Sequence, residues 1–272
     1  MIFVRDKGRM CNNILQYGHV YAWGREHGRS TLSMRFAYKY RYFRINRQLK
    51  HNFLSYAVAK YATKAGLLKT VSFDTPGEPT AEKEKLMLAK RHLLVEGWEV
   101  RFYDLFLKYK DEIIDLFTFD GKIKAKVDSF IASSSAGTNI KLGIHIRRGD
   151  YSRWQGGRYF YDDATYVRVI REFAALFPDR KPTVYICGND PKLDKDYYRK
   201  NLEGINVVFP DGDQAEDLYL FSQCDYLIGP PSTFSLVASM YRDVPLWRID
   251  GKDSPVRLEN FNTFDYLFKH II

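Results

Sequence analysis

Two adjacent arginines, Arg147 and Arg148, stand where a run of alternating residues ends in Gly149 and Asp150. Leu142, Ile144 and Ile146 alternate with Gly143, His145 and Arg147, the period of a strand with two different faces. Ligands of open α/β sheets lie beyond the carboxyl ends of strands. Guanidiniums at such an end suit a diphosphate, because arginine stays charged and offers two parallel N–H groups to one phosphate. Gly149 allows close backbone approach. The plain alternative is a pair of surface arginines at a strand terminus. Asp150 is placed either to hold the arginine loop or to take a proton, and the sequence leaves both readings open.

Four further segments carry polar residues in useful order. Gly8 opens a loop before a helix that Asn12 can cap, with Asn13 beside it; such a loop offers free backbone N–H groups to an anion or a sugar hydroxyl. Asp217 falls near the start of a predicted helix, where a carboxylate also complements the helix dipole. Ser232, Thr233 and Ser235 open a helix after a strand, a recurrent phosphate seat that capping would explain equally well. Asp211-Gly212-Asp213 reads as a DxD metal signature or as turn chemistry after Pro210. The turn is preferred and no metal is expected, since an arginine-clamped diphosphate already has its charge compensated.

Taken together, these segments resemble a known family. His145-Ile146-Arg147-Arg148-Gly149-Asp150-Tyr151 is similar to the HxRRGDY motif of bacterial α-1,2-fucosyltransferases, glycosyltransferase family 11. Related fucosyltransferases share a looser HxRxGD version. The segment from Gly8 to Tyr17 is similar to the family's GGLGNQMFQYA, with Arg9 and Cys11 in place of glycines and Asn13 in place of Gln. Residues 216–229 resemble its helix-strand with an SxCD turn, and residues 230–235 its SSFS-type loop. Residues 38–138 match no motif.

The resemblance implies an α/β chain of GT-B type, two Rossmann-like halves facing a cleft, with the donor mainly on the C-terminal half. It implies that His145, Arg147 and Arg148 belong to the donor site, that Arg147 stabilises the departing GDP, and that Asp217 accepts from guanine N–H groups. The activity implied is inverting transfer of L-fucose from GDP-β-L-fucose to a glycan hydroxyl, or to a lipid-linked oligosaccharide, without a metal cofactor. Another nucleotide-sugar donor on the same fold is the near alternative, and an inactive sugar- or nucleotide-binding relative the next. A basic nucleic-acid-binding module would be a different class; the sequence lacks the RNP and helix-turn-helix signatures it would need, and nucleic acid is not an expected partner.

The elements that must position these residues can be read from period and punctuation. Residues 2–4 and 31–36 read as strands around a helix that Gly28 ends. Residues 53–67 read as helix, 70–83 as loop with Pro76, Gly77 and Pro79, and 99–117 as helix continued over 125–131. From residue 141 onward strands and helices alternate: strands over 141–147, 183–187, 205–209, 226–228 and 246–249. Between them lie helices to residue 177 from a cap at Asp162 or Asp163, and over 194–202, 215–223 and 234–241. Such alternation predicts a parallel sheet with helices on both faces. The small polar stretch 133–138 reads as a linker, giving an acceptor-side half over 1–135 and a donor-side half over 136–272.

Bulk properties bound these readings. The chain has 272 residues, 45% of them apolar, enough for a packed core. Its net charge of +9 is compatible with phosphorylated small molecules, nucleic acid or anionic membranes. Basic residues are spread along the chain with a local cluster over 35–50, interleaved with Tyr38, Tyr40, Tyr42 and Phe43. Cys11, Cys187 and Cys224 are too far apart in sequence to suggest a zinc site or a disulfide framework. No run approaches the roughly 20 apolar residues that span a bilayer. A cytoplasmic protein is expected, with peripheral contact at the inner membrane left open.

Overall fold

The computed structural model describes residues 1–77 and 80–270. The chain divides into two compact units, Met1–Asp120 and Gly121–Ile272. Each is built on one all-parallel sheet.

The first unit contains β1 (Ile2–Arg5), α1 (Met10–Glu26), β2 (Thr31–Ser33), α2 (Phe53–Lys64), β3 (Lys69–Ser72), α3 (Thr80–Ala89), β4 (Leu93–Glu96), α4 (Tyr103–Lys108) and α5 (Lys110–Leu116). The sheet order is β2-β1-β4-β3. Four expectations need correction here. The strand expected over 31–36 ends at Ser33, whose hydroxyl accepts from the Phe36 N–H at 3.1 Å and turns the chain. The stretch expected as loop over 70–83 holds most of β3 and the start of α3; β3 buries only Val71, so its period is too short to register. Pro79 of that stretch lies outside the described residues. β4 was not expected, yet it lies between β1 and β3 with Leu93, Leu94 and Val95 fully buried. The helix expected over 99–117 is broken at Tyr109, whose ψ of 19° separates α4 from α5.

The second unit contains α6 (Gly121–Ser134), β5 (Ile140–Ile146), α7 (Asp163–Ala175), β6 (Pro182–Gly188), α8 (Lys195–Asn201), β7 (Asn206–Val208), α9 (Gln214–Ser222), β8 (Tyr226–Gly229), α10 (Thr233–Met240), β9 (Leu246–Arg248) and α11 (Phe264–Phe268). All five strands and the helices between them were legible from the period. Asp162, not Asp163, caps α7, accepting from the Thr165 N–H at 2.8 Å. The stretch 133–138 lies inside this unit. The Ser133, Ser134 and Ser135 hydroxyls bond carbonyls of the preceding turn. The helix they close is fixed to α9 by Lys126–Glu216 at 2.5 Å and Tyr219–Asp128 at 3.0 Å.

The sheet order β7-β6-β5-β8-β9 puts the first strand of this unit at its centre. The chain winds outward through β6 and β7, then returns to the other side of β5 for β8 and β9. The reversal lies between β5 and β8, the switch point at which doubly wound sheets open a ligand crevice. β5 and β6 are buried along almost their whole length, as central parallel strands covered on both faces must be. Leu142, Ile144 and Ile146 join the α7 and α8 core, while Gly143 and His145 lie toward Phe221 and Phe234 of α9 and α10. No helix among the described residues is long and apolar enough to cross a membrane.

Candidate functional site

The sequence-predicted residues His145, Arg147, Arg148, Asp150, Asp217, Ser232, Thr233 and Ser235 all belong to the second unit. Gly8, Asn12 and Asn13 belong to the first. Within the second unit they gather at the carboxyl ends of the strands, around the switch point.

His145 is paired in register with Cys187 of β6 and is only 6% exposed. Burial, with the nearby Arg147 charge, holds its imidazole down to about 3, so it is neutral at physiological pH. Its Nδ1 is buried with no hydrogen-bond partner among the described residues. Gly229, at the end of β8, lies against it: a Cβ there would come 2.9 Å from both the Cβ and the carbonyl oxygen of His145. β5 and β8 approach each other so closely at this point that only glycine fits at 229.

Beyond β5 the two arginines have separate tasks. Arg148 is locked in place. Its Nε donates to the Tyr161 carbonyl at 3.0 Å, and its two terminal nitrogens reach Asp163 at 2.5 Å and Asp190 at 3.3 Å. Burial works against its charge, and Asp163 and Asp190 outweigh it, leaving the guanidinium above its ordinary value. The Arg148 N–H donates to the Asn189 side chain at 3.1 Å, which ties the loop after β5 to the loop after β6. Tyr198 also donates to Asp163 at 2.7 Å. None of Asn189, Asp190, Asp163 and Tyr198 is read as a site residue from the sequence, because they come from three separate segments.

Arg147 presents its fork differently. Nε and Nη2 contact the two oxygens of Asp150 at 3.2 and 2.7 Å, and its guanidinium carbon sits 5.0 Å from the Tyr151 ring centroid. Tyr151 in turn donates to the Pro231 carbonyl on the loop before α10. Arg147 and Asp150 are thus brought together, with both carboxylate oxygens on the guanidinium. That geometry favours the holding role for Asp150 over the proton-accepting one.

Asp217 lies in the first turns of α9, half-buried, with Oδ1 shielded from solvent and without a hydrogen-bond partner among the described residues. Burial raises its carboxyl to about 7; a hydrogen bond from the Cys187 thiol works the other way, and Asp213, Glu216 and Asp211 add to the rise. Asp213 itself is the N-cap of α9, accepting from the Ala215 and Glu216 N–H groups at 2.8 and 3.0 Å while Glu216 reaches back to the Asp213 N–H at 3.1 Å. Asp213 and Glu216 thus form a capping box, a structural use of the DxD stretch at the start of the helix. Among the described residues no three His, Cys, Asp or Glu side chains are grouped to hold a metal ion.

Ser232 caps α10, its hydroxyl accepting from the Phe234 N–H at 3.2 Å, and Thr233 is the first helical residue. Ser235 is fully buried and donates to the Ser232 carbonyl at 3.3 Å, an internal use of its hydroxyl. Arg248, at the end of β9, was missed. It is buried enough to be drawn down to about 10, near Tyr151 and Tyr159, and its Nε has no partner among the described residues. Its position at the carboxyl end of a strand was the available signal.

In the first unit, Gly8 adopts a left-handed φ of +90°, and a Cβ there would approach the Asn12 amide within 2.6 Å. The cap expected at Asn12 is not formed: α1 starts at Met10 with Arg9 at the cap position, and both Asn12 and Asn13 are helical. The left-handed turn at Gly8 starts the helix earlier than the polar side chains suggest. Asn13 is fully buried, with neither amide atom partnered among the described residues.

No protein-family model and no curated protein matches the sequence. Solved structures do match. A variant of FUT1 from Arabidopsis thaliana in complex with GDP aligns with a TM-score of 0.62 at 13% identity, over 96% of this chain and 73% of that one. POFUT1 in complex with GDP aligns at 0.60 and 13%, over 93% and 95%. NodZ, an α-1,6-fucosyltransferase soaked with GDP-fucose, aligns at 0.52 and 13%, over 95% and 96%. At such identity the likeness is one of fold, and the two-sheet α/β arrangement is that of the GT-B type.

Proposed function

We propose that this chain is a glycosyltransferase that moves L-fucose from GDP-β-L-fucose to a glycan hydroxyl with inversion, an α-1,2 linkage being the product the motif favours. The observation that carries the reading is Arg147, a half-shielded guanidinium oriented by Asp150 at the switch point of the second sheet. The fold shared with structures of fucosyltransferases supports it.

The leaving diphosphate gathers negative charge as the glycosidic bond breaks. A preorganised fork of two N–H groups stabilises that charge more in the transition state than in the ground state. Arg148, fixed by Asp163 and Asp190, supports the loop that carries Arg147. Asp217 offers two acceptor oxygens to the paired N–H groups of guanine, and its buried, unpartnered Oδ1 is the reason a donor is sought there. The N-terminus of α10, with Ser232 and Thr233, faces the phosphates, whereas Ser235 holds the turn. The second unit is then the donor side and the first unit, with the Gly8, Asn12 and Asn13 loop, the acceptor side. The acceptor is a glycan or a lipid-linked oligosaccharide. A peripheral contact with a cytoplasmic membrane surface fits the exposed face of α2, where Phe53, Leu54, Val58 and Tyr61 project.

A thermal-shift panel tests the donor assignment. Ligands that bind the native state raise its apparent stability, so GDP and GDP-fucose should raise the melting temperature well beyond UDP and ADP, and GDP-fucose should be turned over. Equal shifts for all three nucleotides would sink the guanine reading, and binding without turnover would leave an inactive relative.

A further inference from the structure

The first unit carries a cavity of about 510 Å³ that no part of the donor reading uses. It opens beside the carboxyl ends of β1 and β2, where open parallel sheets take their ligands, and is closed on the other side by α2. Its size is that of a small-molecule site.

The lining is unusual in charge. Arg35, Lys60 and Lys64 contribute to it, and among the described residues none of them pairs with a carboxylate. Arg35 instead donates to the Tyr38 hydroxyl at 2.9 Å and to the Asp6 carbonyl at 3.3 Å. The surrounding segment explains why compensation is missing. Residues 27–73 contain ten of the chain's 42 Lys and Arg and none of its 33 Asp and Glu, so this stretch alone exceeds the net +9 of the whole. Cations concentrated in one concavity, with Asp6 the one acidic side chain among its described lining residues, focus a field that attracts anions.

Two further features point to a saccharide. Tyr38 and Tyr56 line the cavity with ring centroids 4.4 Å apart, an aromatic surface for the C–H face of a sugar. Asp6 is 1% exposed; one carboxyl oxygen takes the Ser33 hydroxyl, and the other, Oδ1, is without a partner among the described residues. A buried unpaired oxygen on a cavity wall is a place for a hydroxyl to bond.

We infer that this cavity binds an acidic saccharide, one bearing a carboxylate or a phosphate, and that the sugar accepting fucose is therefore anionic. Arg35, Lys60 and Lys64 take the acidic group, Tyr38 and Tyr56 the ring, and Asp6 a hydroxyl. The second half of this inference rests on the fucosyl-transfer reading; the binding itself does not.

Calorimetry on the full chain separates the two. The probes are trigalacturonic acid, glucose 1-phosphate and neutral maltotriose, each titrated with and without GDP. At least one acidic probe should bind ten times or more tighter than maltotriose. Lys60→Ala and Arg35→Ala should each weaken it about tenfold, with Lys124→Ala, an exposed change on α6, as the control. Carboxylate and phosphate sources are told apart by which acidic probe binds. If maltotriose binds as well as both acidic probes, if neither acidic probe binds, or if Lys124→Ala weakens binding as much as Lys60→Ala, the inference is overturned. GDP binding is read in the same titrations, so loss of the donor assignment would show as failure of GDP alone.

Discussion

Replacing Arg147 by lysine separates shape from charge at the proposed donor site. Lysine keeps a cation that can sit over the Tyr151 ring and make one contact to Asp150, but it cannot give two parallel N–H groups to one phosphate. In the folded protein the Arg147–Asp150 pair is modest. Asp150 is half exposed, so the pair contributes about 1 kcal/mol or less. For a chain of this size that corresponds to a melting shift of roughly 2–4 °C. Losing one preorganised transition-state donor lowers turnover by about 10²–10³, or roughly 3–4 kcal/mol of barrier. Arg147→Lys should therefore lose most of what Arg147→Ala loses in rate while melting close to the parent protein. The assay is steady-state release of GDP from GDP-fucose, with a melting curve on each variant. If Arg147→Lys works at the parent rate, or if both variants lose stability in step with activity, the clamp argument is wrong.

The remaining expectations are more local. Asp217→Ala should weaken GDP by roughly 1–3 kcal/mol and leave UDP unchanged. Because burial holds the Asp217 carboxyl at about 7 and guanine needs its ionised form, GDP affinity relative to UDP should fall about tenfold per pH unit below 7 and level off above it; a flat ratio by calorimetry removes the assignment. Asp213→Ala removes the cap of α9 and should lower stability by about 1 kcal/mol in urea melts, with turnover persisting in EDTA; activity lost in EDTA and restored by Mn²⁺ would favour the metal reading. Gly229→Ala forces a methyl against the His145 backbone and should destabilise by about 1–3 kcal/mol, read as a lower urea midpoint. His19, His51 and His145 are held down to about 3 by burial, so the stability they give is full above about 6.5 and is lost as pH falls toward 3. Asp6, raised to about 8 by burial, acts oppositely: its contribution is full below about 4 and is lost as pH rises through 8, so Asp6→Asn should flatten the alkaline side of a melting-temperature profile.

The second unit was legible because its elements are long, regularly punctuated and alternate in type. β5 shows its two faces in the letters themselves, and Asp162, Asp194 and Asp213 cap helices where acidic residues precede apolar periods. The first unit was harder for a physical reason. β3 and β4 have four residues each, too few for a period, and β4 is apolar over Leu93, Leu94 and Val95, so only its place between β1 and β3 identifies it. The arginine pair was readable as a phosphate-type feature, but not the division of labour between its members. That division depends on Asp163 and Asp190, 15 and 42 residues away in sequence. Arg248 escaped for the same reason: β9 is three residues long, and its arginine meets Tyr151 only through the fold. The Asn12 cap failed because the backbone turn at Gly8, not a side chain, sets where α1 begins.

The central place of β5 also shapes how the chain can reach this state. Every strand pairing in the second sheet is parallel and joins segments far apart in sequence, so none can form as a hairpin. β5 gains β6 first, but its other edge stays open until β8, residues 226–229, is available. Until then a strand built to be covered on both faces presents an apolar surface and unpaired backbone groups, the features that seed aggregation. The first sheet is complete earlier: β1 likewise gains β2 first, and its other edge is covered once β4, which ends at Glu96, has been made. Chain cut between residues 146 and 226 should therefore yield a first unit that can fold and a second that cannot, and insoluble product rather than a truncated second unit.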